Sequence, residues 1–137
     1  MQKRFALPLL LAALATTPAL QAHHSFAAEF DTAKPVKMTG VVTKVEWQNP
    51  HTWFYMDVKD DTDKTTNWGM EMGSPNLLIR SGWNRNSMKI GDVVTIEGFR
   101  ARDGSNIGNA QVVVLTNSGQ RLFTASSVPQ PAEAPKR

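Results

Sequence analysis

The sequence predicts a mainly β protein: a small five- to six-stranded, OB-like, partly open barrel with one short helix between strands three and four. Three observations carry that expectation. Apolar and polar residues alternate with a period of two in successive runs, Gly, Asn, Asp and Ser fill the breaks between runs, and the segment after the third run carries helix punctuation instead. Three strands, a helix and then a strand pair is the OB element order, in which the helix plugs one end of the barrel. An SH3-like barrel or a small open sandwich draws on the same strand supply and stays open as an alternative.

The first strand, Val36 to Gln48, places Val41, Thr43, Val45 and Trp47 on one face and Val42, Lys44, Glu46 and Gln48 on the other, and Gly40 marks a bulge or bend near its start. Thr52 to Lys59 is a second strand, with Phe54, Met56 and Val58 alternating against Trp53, Tyr55 and Asp57. The polar run Asp60 to Lys64 is a turn, and Thr65 to Met72 is the third strand, so the three form a meander. Ser74 is placed to cap a short helix whose first position is Pro75 and whose left-handed terminator is Gly82. The fourth strand, Asp92 to Arg102, turns through Asp103–Asn106 into a fifth, Asn109 to Thr116, and Gln120 to Thr124 supplies a short sixth.

The ends read differently. Residues 1–22 open with Lys3 and Arg4, continue with the apolar run Phe5–Ala15, too short for a membrane anchor, and finish with small residues after Pro18, the pattern of a cleavable signal peptide with its cut after Ala22. Residues 23–35 form an extended N-terminal segment, 36–124 the barrel domain and 125–137 a Pro/Ala-rich tail without an apolar face, expected to be disordered. Export implies a periplasmic address with no stable membrane anchor after cleavage.

Composition narrows the function classes. The chain has no cysteine, which excludes disulfides, thiolate metal ligands and cysteine nucleophiles together, so the fold rests on its hydrophobic core. Residues 1–22 hold two of the 15 Lys and Arg and none of the 12 Asp and Glu, so the formal charge falls from +3 to +1 on cleavage. A near-neutral domain lacks the electrostatic footprint of a nucleic-acid binder. No serine has nucleophile-elbow surroundings, and the acidic turn lacks the glycine and distal glutamate of a calcium loop, which argues for a non-enzymatic binding protein.

The three histidines are the strongest chemical candidates. A cut after Ala22 makes His23 the N-terminal residue, and its α-amine and imidazole form a six-membered chelate suited to Cu(II), a metal that favours nitrogen donors in tetragonal geometry. His51, between the first two strands, would supply the third nitrogen of a histidine brace, with His24 as an alternative donor. Against this stands a plainer reading, a polar mobile start at His23 and His24 and a loop histidine bonded to a carbonyl. The competing partner class is a small envelope ligand or protein held on an exposed aromatic face of Trp47, Trp53 and Tyr55. Met56, Met70 and Met72 offer soft thioethers but are better read as barrel core.

The motifs His23-His24-Ser25-Phe26, Gly40-Val41-Val42, Glu46-Trp47-Gln48-Asn49-Pro50-His51, Asn67-Trp68, Ser74-Pro75-Asn76, Gly82-Trp83 and Gly91-Asp92 resemble a family of small exported bacterial proteins carried as a domain of unknown function. The resemblance covers nearly all of residues 23–123, and the Trp-x-Asn-Pro-His run is its most specific part. It implies a Gram-negative envelope protein and brings no established activity.

Overall fold

The computed structural model describes residues 26–126. Residues 1–22, expected to be a signal peptide, His23, His24 and all of the tail past Ser126 therefore lie outside the described residues. The elements are α1 (Phe26–Glu29), β1 (Phe30–Glu46), β2 (Trp53–Lys59), β3 (Thr65–Glu71), α2 (Pro75–Arg80), β4 (Val93–Ala101), β5 (Ile107–Leu115) and β6 (Gln120–Phe123). No helix among the described residues is long and apolar enough to cross a membrane.

β1 is the organising strand. Its first half pairs antiparallel with β4, from Phe30↔Ala101 to Val41↔Val93, and its second half with β2, from Val41↔Asp57 to Glu46↔Trp53. The strands run in the order β3-β2-β1-β4-β5-β6, and a parallel pairing of β3 with β5, Gly69↔Ile107 to Glu71↔Asn109, joins the outer members. The ring β1-β2-β3-β5-β4 with α2 between β3 and β4 is the OB-like, partly open barrel that the strand periods predict.

The face assignment along β1 differs from the simple alternation. Val42 is buried at 1% exposure while Val41 is 43% exposed, and the register shifts between Val42 and Lys44. This bulge inserts one residue, so Val36, Met38 and Val42 face the core before it and Val45 and Trp47 after it. A period-two reading carried straight through the bulge inverts every face on one side of it. Gly40 lies before the bulge and serves a close approach, since a Cβ there would stand 2.6 Å from the Asp57 carbonyl oxygen.

The segment preceding Val36 is also more ordered than an extended lead-in. It folds as the single turn α1 and as the start of β1, with a second register shift between Asp31 and Pro35. Phe30 is buried, and Phe26 packs on it at 5.3 Å between ring centroids and edge-on to Phe99 at 6.1 Å. Asp31, Lys34 and Pro35 break the sequence alternation, while aromatic contacts distant in sequence restore the order.

Phe54 and Met56 of β2, Met70 of β3, Val94 and Ile96 of β4, Val113 of β5 and Leu78 of α2 are fully buried in one cluster. Fully burying a side chain of this size contributes roughly 1.5–3 kcal/mol. The methionines are thus core. α2 begins as its punctuation predicts: the Ser74 hydroxyl accepts from the Leu77 amide at 3.4 Å, and Pro75 takes the first turn, where no donor is lost. Leu78 and Trp83 plug that end of the barrel, and the Trp83 indole donates to the Phe123 carbonyl at 2.9 Å.

Candidate functional site

His51 sits in the link between β1 and β2, after the cis Asn49–Pro50 peptide. The following residue, Thr52, ties this link to the end of β3: its amide donates to Gly73 at 3.0 Å and its carbonyl accepts from Met72 at 2.8 Å. His51 is thereby held beside the last residue of β3, Glu71, and its Nδ1 lies 3.0 Å from Glu71 Oε1.

Met70 and Met72 point into the core, so the pleat turns Glu71 to the opposite face. Glu71 is nevertheless only 7% exposed. Burial, with the negative field of Glu29 at the end of α1 adding to it, pushes the Glu71 carboxyl up to about 7. The His51 side chain is 49% exposed. The pair is therefore a buried carboxyl near its midpoint at neutral pH, 3.0 Å from a half-exposed imidazole. A carboxyl that donates to Nδ1 leaves the neutral ring's hydrogen on Nε2, whereas with one proton fewer on the pair an Nδ1–H aimed at the carboxylate leaves Nε2 with a free lone pair.

Trp53 stands directly across from Glu71 in the β2–β3 ladder, and Tyr55 across from Gly69. Both are half-buried, on the strand face opposite Phe54 and Met56. Gly69 lets both rings lie against the β3 backbone: a Cβ there would stand 3.2 Å from Tyr55 Cε1, tighter than ordinary contact, and 3.8 Å from Trp53 Cζ3. The Tyr55 hydroxyl donates to Glu46 at 3.3 Å, and the Lys44 ammonium, paired with Glu46, lies 5.2 Å from the Tyr55 ring centroid. Lys44 holds the Glu46 carboxyl below its ordinary range, and burial raises the Tyr55 phenol. Tyr55 thus already has neighbours at its hydroxyl and its ring, whereas Trp53 adjoins Glu71.

The structure brings His51, Trp53 and Tyr55 to one side of β2–β3 and separates Trp47 from them, because the β1 bulge turns Trp47 onto the core cluster. His23 and His24 precede the first described residue. Among the described residues no group of three or more His, Asp or Glu can hold a metal ion, so His51 and Glu71 would need further donors from outside them. Glu71 is the site residue that sequence reasoning passed over, as the polar alternate of Met70 and Met72. The signal was an acid lying between two core methionines on a strand.

Residues 10–110 match the family of unknown function DUF6152, and the chain belongs to that family. No curated protein matches it.

Proposed function

We propose that this member of a family of unknown function is an exported periplasmic binding protein that holds Cu(II) at the His51–Glu71 edge of the barrel. The observation that carries the reading is the approach of His51 Nδ1 to Glu71 Oε1 at 3.0 Å. Histidines that ligate metals characteristically give their other ring N–H to a carboxylate, which fixes the tautomer and orients the ring. With Nδ1 engaged, Nε2 of the half-exposed His51 is the nitrogen left for an ion.

The remaining donors are the α-amine and imidazole of His23 after cleavage behind Ala22, with His24 as the alternative. Three residues join His23 to Phe26, where α1 begins, a tether of at most about 10 Å of extended chain. The reading requires that tether to bring the N-terminal nitrogens to His51. Met56, Met70 and Met72 are sealed in the core, so the donors at hand are nitrogen and oxygen, which favours Cu(II) over Cu(I).

The test is native mass spectrometry of the processed protein with and without Cu(II), followed by titration. One ion per chain, lost or at least tenfold weaker in His51→Ala, is the expected result. Unchanged affinity in His51→Ala, or in a protein with one residue added before His23, overturns the reading.

One observation favours a second reading, the half-buried Trp53 and Tyr55 side by side on the strand face opposite the core. A small envelope ligand with a flat ring face would stack there independently of any metal. Trp53→Ala would then abolish its binding while His51→Ala would not.

A further inference from the structure

The strand registers gather a set of side chains on the outside of the barrel. Val36 and Met38 pack on the core, so the pleat turns Pro35 and Lys37 outward from β1. Directly opposed strand residues share a face, which places Phe99 beside Pro35, Glu97 beside Lys37 and Val112 beside Glu97. These residues line a groove of about 500 Å³ across β1, β4 and β5. Sites for small molecules span about 300–1,000 Å³, so the groove is of their size.

Its two ends differ. At one, Phe99 stands beside Pro35, and Phe26 of α1 lies edge-on to the Phe99 ring at 6.1 Å. At the other, about 7 Å along the strands, the Glu97 carboxylate takes Lys37 at 3.2 Å on Oε1 and the Arg121 guanidinium of β6 at 3.1 Å on Oε2. Val112 is only 6% exposed, although it faces away from its core neighbour Val113. An apolar side chain is thus sunk outside the core, beside the charged end.

Charge decides the class of ligand. One carboxylate faces two cations, which leaves one positive charge uncompensated, and Lys37 and Arg121 are exposed at 69% and 50% with N–H groups to spare. Glu97 is the one acid among the described residues that line the groove. A monoanion neutralises the excess, and a carboxylate is the group that this lysine and arginine already hold. We infer that the groove binds a free single-chain carboxylate, its head on Lys37 and Arg121 and its apolar chain over Val112 toward Phe99 and Pro35. The site shares no residue with the His51–Glu71 edge and stands or falls apart from the copper reading.

The test titrates octanoate, decanoate and octylamine, each below its micelle concentration, into the isotopically labelled full-length chain and follows the amide resonances. Octanoate should saturate shifts at Lys37, Glu97, Phe99 and Val112 with one site per chain. Decanoate, two methylenes longer, should bind roughly tenfold tighter, and octylamine at least tenfold weaker than octanoate. Replacing both exposed cations, Lys37→Ala with Arg121→Ala, should weaken octanoate at least tenfold. The comparison of the three probes needs no variant, so it decides the matter even if the double variant fails to fold. Equal binding of octylamine, shifts that never saturate, or shifts confined to other strands overturn the inference. Saturation by vesicles of anionic lipid with none by octanoate would make this face a membrane contact and overturn it equally.

Discussion

His51 Nδ1 stands 3.0 Å from Glu71 Oε1, the imidazole half in solvent and the carboxyl almost wholly out of it. That asymmetry couples the barrel's stability and its proposed chemistry to pH in opposite directions.

Stability should fall as pH rises. The Glu71 carboxyl titrates at about 7 in the folded chain and near 4.3 when unfolded, so between those values the folded state holds the extra proton. The stabilisation is complete below the unfolded pKa and is lost as pH climbs through about 7, an effect of up to about 3 kcal/mol. Glu71→Gln should flatten the profile and be the relatively more stable protein at pH 8. Urea midpoints at pH 4.5 and pH 8 for both proteins check this; parallel profiles would refute it.

Copper affinity should instead rise with pH. Nε2 is free to ligate only in the tautomer protonated on Nδ1, whose N–H a carboxylate accepts more strongly than a neutral carboxyl does, so binding favours loss of the Glu71 proton. Between pH 6 and pH 8 the native protein should gain affinity more steeply than Glu71→Gln, whose amide oxygen accepts from Nδ1–H without titrating. Competition titrations at three pH values measure the difference in slope.

The glycines of the ring should divide by what an added methyl meets. At Gly98 a Cβ would fall within the van der Waals shell of the Asn109 carbonyl oxygen in the β4–β5 ladder, and neither backbone can withdraw without breaking the pairing. Gly98→Ala should cost about 3 kcal/mol or more. Gly69→Ala meets only the edge of the Tyr55 ring, a side chain that can shift, and should cost about 1 kcal/mol. Thermal or chemical denaturation of the two variants should rank them in that order.

Met70→Ala should lose about 2–5 kcal/mol, because the side chain is fully buried among core residues and leaves a cavity. Phe123→Ala, at a position 62% exposed, should stay within about 0.5 kcal/mol of the native protein. A reversed ranking would mean that the sheet buries its other face.

The strands and the capped helix were legible in the sequence because local rules write them. Phe54, Met56, Met70 and Leu78 fall on the core side as their spacing requires, and Ser74 and Pro75 start α2. What stayed hidden depends on the ring closing. Nothing local announces that the extra residue in β1 falls after Val42, and this alone moves Trp47 from the expected aromatic face to the core. Phe30 joins β1 because Ala101 pairs with it from seventy-one residues further along the chain. The candidate site was half visible. His51 stood out as one of three histidines, but the burial that gives Glu71 its character comes from chain distant in sequence, and no strand period records it.

The ring also dictates when this chain can fold. Met38 pairs with Ile96 and Glu71 with Asn109, so both seams that complete the cylinder need residues from the last third of the sequence. Until these arrive, the β1-β2-β3 meander has an apolar face with nothing to cover it and open strand edges. High contact order of this kind puts folding in milliseconds to seconds, slow beside local helix formation. A polypeptide whose closing strands come last in the chain commits to its fold only when nearly all of it is available.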